Sequence, residues 1–170
     1  MSIHFEDPFS VPVELRDPVR RLRGRLPSPV TILTSGEERP VGITVSSFIV
    51  VEGDEPRTAA LVGPGSDFVD AVEESGGFVA HVLDADEANL ADVFAGLRPS
   101  PGGMFASVEV EDTRWGPRIA HIRNWAGCRT EELRRLGDQL LLVGIIESLE
   151  VGDLKDPLVY FRGRYRQLKP

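Results

Sequence analysis

The order of strands and helices constrains the fold of this chain more than any other feature of its sequence. Alternation of apolar residues with polar or small residues predicts eight strands, at residues 30–34, 41–51, 58–62, 78–83, 104–110, 118–125, 140–151 and 158–162. Only two helices are predicted between these strands. Because helices do not separate every pair of strands, the pattern excludes a doubly wound sheet and predicts a mostly β fold with short helices, closed or partly closed into a barrel.

Both predicted helices carry recognisable end signals. Ser66 is a good N-cap for a helix over residues 67–75, and Gly76 provides its end. Asp84, with Glu87 three residues later, predicts a capping box for a second helix that continues through Phe94. The chain lacks the glycine motifs of nucleotide-binding α/β folds, since no G-x-G-x-x-G follows a strand and no G-x-x-x-x-G-K is present.

Composition limits the class of protein. A length of 170 residues with 41% hydrophobic content predicts one domain with a proper core, preceded by an N-terminal arm with a short helix over residues 1–25. The single cysteine, Cys128, excludes an intrachain disulfide, and no Cys/His cluster has the spacing of a metal site. We therefore expect a reducing compartment and no metal.

Charge and hydropathy exclude two classes of partner. A net charge of -8 and a pI near 4.9 argue against a general affinity for nucleic acid. Residues 1–10 contain charged side chains where a signal peptide needs an apolar stretch, and no later run reaches membrane-spanning length, so we expect a cytoplasmic protein away from membranes. The basic run of the N-terminal arm predicts the solvated face of a short helix in preference to a binding site; it comprises Arg16, Arg20, Arg21, Arg23 and Arg25.

Three segments carry a resemblance to a known family. They are Thr44-Val45-Ser46-Ser47-Phe48, Gly137-Asp138-Gln139 ahead of the apolar run 140–146, and residues 157–165. In this order and at these separations they resemble the flavin reductase-like family of split-barrel flavin-binding proteins, over residues 22–168. The resemblance implies a split β-barrel of the FMN-binding type over residues 26–170. It also implies a homodimer with the flavin near the subunit contact.

The resemblance implies a reaction and its cofactors. A reduced nicotinamide, NAD(P)H, would deliver hydride to FMN, and the reduced flavin would serve a partner monooxygenase or react in place. FAD and a deazaflavin are alternatives to FMN, and the sequence does not distinguish NADH from NADPH. A second hypothesis is a flavin or deazaflavin binding protein without nicotinamide reductase activity.

The predicted flavin site begins at the polar end of the first long strand. A flavin needs convergent donors for its phosphate and donors near the pyrimidine edge of its ring, where negative charge accumulates on reduction. By resemblance, Thr44, Val45, Ser46 and Ser47 cradle the ring; the alternative is a hairpin end that happens to be rich in Ser and Thr. Ser66 is predicted to help bind the phosphate, because a helix N-terminus offers free N–H groups, although a plain helix cap explains it equally well.

The chain departs from the family at two places. The loop Gly63-Pro64-Gly65-Ser66-Asp67 lacks the arginine or lysine common in the family. Either a cation from the N-terminal arm, Arg162 or Arg164 binds the phosphate, or flavin binding is weak. Gln139 stands where the family has a histidine near the nicotinamide. Glutamine donates and accepts hydrogen bonds but carries no proton near neutral pH, so Asp138 and Gln139 are predicted to shape the nicotinamide side without proton transfer.

Other conspicuous residues are predicted to be structural. Asp138 has a second interpretation as a turn residue after Gly137. Cys128 is expected to be a small buried apolar residue and not a nucleophile. Trp125 is expected in the core or at a dimer contact, and His81 is expected to be a hydrogen-bonded structural residue.

Overall fold

The computed structural model describes residues 17–153 and 155–168. Its helices are α1 (Pro18–Arg23), α2 (Asp67–Ser75) and α3 (Ala88–Phe94), the last preceded by a 3-10 turn at Ala85–Glu87. The strands are β1 (Ser28–Pro29), β2 (Thr31–Ser35), β3 (Val41–Val45), β4 (Ile49–Val51), β5 (Arg57–Val62), β6 (Gly77–Val82), β7 (Val110–Thr113), β8 (Gly116–Ile119), β9 (Trp125–Leu136), β10 (Gln139–Glu150), β11 (Val159–Phe161) and β12 (Arg164–Arg166). The fold is thus mostly β with short helices. None of the helices in these ranges is long and apolar enough to cross a membrane.

Seven strands form the central antiparallel sheet, in the order β3-β2-β6-β9-β10-β5-β4. The first and last strands of this order, β3 and β4, are consecutive along the chain and are separated only by residues 46–48. Three connecting residues span at most about 14 Å between the flanking Cα atoms. The sheet must therefore curl until its two edges lie near each other.

The central part of the sheet is buried on both faces, with one helix on each side. Ile32 and Leu33 are adjacent on β2 and point to opposite faces, and both are fully buried. Leu33 packs with Phe68 and Val72 of α2 in one core cluster, the α2 cluster. Ile32 packs with Phe94 of α3 in a second, the α3 cluster. Two hydrophobic clusters thus hold the strands from either side.

A glycine on β10 makes room for the close packing of the α2 cluster, which contains Phe68 and Val72. Gly144 on β10 lies under the ring of Phe78, so that a Cβ at this position would be 2.6 Å from two ring carbons and 3.0 Å from Cys128 Cβ. Phe78 and Cys128 are both fully buried, which leaves the ring little room to move.

The structure confirms most predicted elements and corrects three. Residues 41–51 form two strands instead of one, because the chain crosses from one edge of the sheet to the other at residues 46–48. Residues 104–110 were wrongly predicted as a strand: Met104, Phe105 and Val108 pack against the α3 cluster from a series of turns. Residues 118–125 are not one strand: residues 118 and 119 end β8, residues 120–124 form the connection, and Trp125 begins β9. The prediction missed β9 beyond Trp125 entirely.

The helix end signals were interpreted correctly. Ser66 is the N-cap of α2, and its Oγ accepts a hydrogen bond from Val69 N at 3.4 Å. Glu87 accepts a hydrogen bond from Asp84 N at 2.7 Å, as a capping box requires. The helix α1 buries none of its residues, which agrees with a solvated basic face, although Arg16 lies outside the described residues.

His81 is a structural residue, as predicted. Its ring is fully buried between Ile32 O, 3.2 Å from Nδ1, and Ile119 N, which donates to Nε2 at 3.0 Å. These partners require a neutral ring with its proton on Nδ1. Burial lowers the pKa of His81 to about 3.

We predict that Gly144→Ala lowers the free energy of unfolding by about 1–3 kcal/mol, because the added methyl group overpacks against Phe78. Gly63→Ala is the matched control, since a Cβ there meets nothing within 4 Å. Urea denaturation at pH 7 measures both variants. Equal stability of the two variants would contradict the packing described here.

His81 also makes stability depend on pH in a defined direction. Below pH 6.5 the unfolded chain protonates this histidine while the folded protein does not, so stability falls as pH decreases towards about 3. The slope reaches about 1.4 kcal/mol per pH unit. Denaturation at pH 7, 6 and 5 should show this loss in the wild type and a flatter profile in His81→Gln. An unchanged slope in the variant would assign the loss to other groups.

Candidate functional site

The three chain segments that were predicted to form the site meet at one end of the sheet. Ser47 Oγ accepts a hydrogen bond from Leu61 N at 2.8 Å and donates one to Leu61 O at 3.2 Å, which fastens the β3–β4 connection to the end of β5. The next residue, Val62, lies directly opposite Leu140 near the start of β10. Neighbouring strands are about 4.8 Å apart, so the Ser47 segment and the start of β10 lie roughly 10 Å from each other.

The polar strand end uses most of its side chains for internal contacts. Thr44 Oγ1 donates to Ala91 O of α3 at 2.7 Å, and the hydroxyl of Ser47 serves Leu61 as described. Val45 is buried in the α2 cluster. Ser46 is half-buried, and its hydroxyl makes no hydrogen bond to any residue in the described ranges. Ser46 thus has the hydroxyl that is free for a ligand, while its neighbours offer mainly backbone groups.

The loop between β5 and α2 lies next to this strand end. Gly63, Pro64 and Gly65 are exposed, and a Cβ added at Gly63 or Gly65 would meet no atom within 4 Å. Ser66 caps α2 through a hydrogen bond that its Oγ accepts from Val69 N, and the other N–H groups of the first helical turn have no partner within the helix. The first turn of α2 carries Asp67 and Asp70, whose charges oppose an anionic ligand at this position.

Asp138 and Gln139 lie at the tip of the β9–β10 hairpin. Gly137 has a φ of 62°, in the left-handed region, and forms the two-residue turn with Asp138. Both Asp138 and Gln139 are exposed. Asp138 is therefore a turn residue, which was the second interpretation of this residue from the sequence. Gln139 begins β10 beside the loop that contains Gly63.

Arg135 is a residue near the site that the sequence analysis did not consider. It lies opposite Leu140, which in turn lies opposite Val62, and directly paired residues of antiparallel strands share a face of the sheet. Its Nε donates to Gly137 O at 3.1 Å, so the side chain folds towards the hairpin turn. The only available signal was the Arg134-Arg135 pair just before Gly137, and it was overlooked because β9 itself was not predicted.

Two grooves of the described structure are acidic. One of about 690 Å³ beside α2 is lined by Glu37, Glu38, Arg39, Asp67, Asp70 and Glu74, among others. A second, of about 620 Å³, includes Asp84, Asp86, Glu87, His121 and Asp153. Neither of these two grooves contains the predicted ring-binding residues or Ser66, Asp138 and Gln139.

Cys128 is buried, as expected, whereas Trp125 is half-buried and lies outside the two core clusters where one of its two expected positions would have placed it. Burial raises the pKa of the Cys128 thiol to about 11, which keeps it protonated and unsuited to nucleophilic attack. The Trp125 indole N–H donates to Glu150 Oε2 at 3.0 Å. That hydrogen bond, together with Arg123, holds the pKa of Glu150 below its usual range. Within residues 17–153 and 155–168, no group of three or more His, Cys, Asp and Glu side chains is placed to bind a metal ion.

The donors present suit a flavin in part. The free hydroxyl of Ser46, the backbone of residues 46–48 and the amide of Gln139 provide neutral hydrogen-bonding groups of the kind a flavin ring needs. The open glycine loop ahead of α2 leaves room for a phosphate. The phosphate's charge finds no basic partner within that loop.

This chain is similar in sequence and in fold to proteins that are named as flavin reductases. A family model described as a flavin reductase like domain matches residues 23–169. An NADH-dependent FMN reductase of Streptomyces nodosus subsp. asukaensis is 30% identical, over 91% of this chain and 85% of the relative. The reductase component of 4-hydroxyphenylacetate 3-monooxygenase from Thermus thermophilus is 29% identical, over 91% of this chain and 97% of the relative. The Streptomyces globisporus NADH:FAD oxidoreductase, solved with NAD and FAD fragments, has a TM-score of 0.81 at 26% identity, covering 92% of this chain and 97% of that one.

We predict that Ser47→Ala releases the β3–β4 connection from β5. Leu61 N loses its acceptor, so hydrogen exchange at the Leu61 amide should accelerate by about 5- to 10-fold, corresponding to roughly 1 kcal/mol. Ser46→Ala is the control, because the Ser46 hydroxyl does not contact Leu61. Unchanged exchange at Leu61 in Ser47→Ala would mean that the connection is held in another way.

Proposed function

Because this chain belongs to the flavin reductase-like domain family, we propose that it is an NADH:flavin oxidoreductase that passes hydride from reduced nicotinamide to FMN or FAD. The observation that carries the proposal is the convergence of Ser46 and Ser47, the loop that ends at Ser66, and Gln139 at one end of the sheet. The relatives at 30% and 29% identity are named as an NADH-dependent FMN reductase and a monooxygenase reductase component.

The residues of this chain bind and orient; they do not exchange protons. Bound flavin supplies the hydride-accepting ring. We assign Thr44, Val45, Ser46 and Ser47 to the ring, with Ser46 Oγ and the local backbone as donors at its edge. Hydride transfer needs the reacting carbons about 3–3.5 Å apart and no general base. The amide of Gln139, with Asp138 beside it, is suited to orienting the nicotinamide, and Ser66 with the N–H groups of α2 to receiving a phosphate.

We further propose that the curled sheet is a split barrel of the FMN-binding type. One path of paired strands leads from Val45 through β2, β6 and β9 to Glu150 at the end of β10. The other path leads from Ser47 through Leu61 to Leu141, near the start of β10. A sheet closed on itself with tilted strands requires such a stagger between the two paths.

A homodimer completes this proposal. Ile49, Val50 and Val51 form the edge strand β4, and all three are about half exposed or more. An apolar edge strand of this kind associates readily unless it is covered. It begins one residue after Phe48, next to the proposed ring site, so a second copy seated on β4 would close the open side of that site.

The biological setting follows the relatives. Several are named as reductase components of two-component monooxygenases, and we propose that reduced flavin formed here serves a partner monooxygenase. The domain over residues 26–170 would carry this activity. A cytoplasmic location, where NADH is available, fits the single reduced Cys128.

The test is a titration of flavin fluorescence, followed by stopped-flow mixing of the complex with NADH and with NADPH. We expect flavin binding and bleaching of its absorbance by NADH. Binding without reduction by either nucleotide would contradict the reductase activity and favour a flavin or deazaflavin carrier, which Gln139 makes the second candidate.

Gln139→His provides a sharper prediction. Glutamine does not titrate, so the rate of flavin reduction in the wild type should show no ionisation from this position between pH 6 and 8. In Gln139→His we expect a new ionisation near pH 6.5. Gln139→Asn keeps an amide and serves as the control. Identical pH profiles in all three proteins would place residue 139 away from the nicotinamide.

A further inference from the structure

We propose that Arg135 binds a phosphate group of the nucleotide held at this site; the inference rests on the proposed function. The site needs a cation for that group. The loop from Gly63 to Asp67 contains no arginine or lysine, and the first turn of α2 adds the carboxylates of Asp67 and Asp70. Neutral N–H groups alone would have to hold an anion against these charges.

The position of Arg135 meets this need. Arg135 lies in a cross-strand row with Leu140 and Val62, and Val62 is the residue immediately before the loop that starts at Gly63. Val62 is in the core and Leu140 is partly buried against it, so the row leads from the core to the exposed guanidinium at the end of the sheet. The Nε to Gly137 O hydrogen bond fixes the side chain beside the hairpin turn.

The charge of Arg135 is uncompensated, in contrast to its neighbours in the sequence. Each of these neighbours forms an ion pair within 4.0 Å. Glu147 pairs with Arg114 and Arg129, Glu150 with Arg118 and Arg123, and Glu132 with Arg134. Arg135 has no such partner among the residues that the structure describes. Both of its terminal nitrogens therefore remain free to form the two parallel hydrogen bonds by which a guanidinium binds a phosphate.

The other cations that the sequence suggested are less well placed. Arg162 and Arg164 belong to the β11–β12 hairpin, which pairs with β1 and with none of the strands that carry the site segments. The arginines of α1 are exposed on a helix that buries none of its residues. Arg135 is linked to the site directly through the β9–β10–β5 register.

The phosphate has two chemical sources. Flavin mononucleotide carries one at the end of its ribityl chain, and the nicotinamide dinucleotide carries a pyrophosphate. The shared chemistry is a phosphate ester within reach of the guanidinium, and riboflavin, which has the flavin ring without a phosphate, separates the two sources.

The experiment compares the Kd of FMN and of riboflavin, measured by flavin fluorescence, for wild type, Arg135→Gln, Arg135→Lys and Arg134→Gln. Arg134 is the matched control, because it is adjacent, points to the opposite face and is paired with Glu132. If the flavin supplies the phosphate, Arg135→Gln should weaken FMN about ten-fold and leave riboflavin unchanged. Arg135→Lys should recover part of the loss, and the salt dependence of the FMN Kd should decrease in Arg135→Gln alone.

A second arm covers the dinucleotide. If FMN binding is unchanged but Arg135→Gln raises KM for NADH several-fold at constant kcat, the pyrophosphate is the ligand. An equal loss of FMN and riboflavin, an equal effect of Arg134→Gln, or no effect on FMN and NADH overturns the inference and leaves the proposed function intact. A wild-type protein that binds neither flavin contradicts the proposed function, and the inference with it.

Discussion

The short connection between β3 and β4 is the constraint on which the rest of this structure depends. It joins the two edges of a seven-stranded sheet through three residues, and Ser47 fastens it to Leu61 with two hydrogen bonds. A sheet whose two edges are joined by so short a connection must curl. The same connection places polar groups beside the end of β5 and the start of β10, so the geometry that curls the sheet also brings together the residues of the proposed flavin site.

Electrostatics sets the second condition for function. A chain with a net charge of -8 must hold an anionic nucleotide, and the grooves beside α2 and the 3-10 turn are lined largely by carboxylates. Most arginines of β7 to β9 are engaged with Glu132, Glu147 or Glu150, which tie the outer strands together. At the site end of the sheet, Arg135 differs from these arginines because it has no carboxylate partner among the described residues. This distinguishes its position electrostatically.

Local signals in the sequence were sufficient where the structure is local. Ser66 and the Asp84–Glu87 box mark the helix starts because a cap depends on residues only three apart. The prediction failed where packing at a distance decided. Met104, Phe105 and Val108 have the apolar character of a strand but fill the α3 cluster from turns. The charged strand β9 was missed because its ladder with β10 contains two register shifts and its outer half is exposed, so a regular alternation is absent.

By itself the sequence determined a mostly β fold with short helices, the family and the two capped helices, because periodicity, caps and motifs depend on neighbours along the chain. Only the tertiary structure decided which hydroxyls remain free. Thr44 and Ser47 are bonded to Ala91 and Leu61, residues distant in sequence, whereas Ser46 is not. The tertiary structure also decided that Arg135 and Val62 both pair with Leu140 of β10, one from each side. Strand pairing is a contact between remote parts of the chain, and no local pattern specifies its register completely.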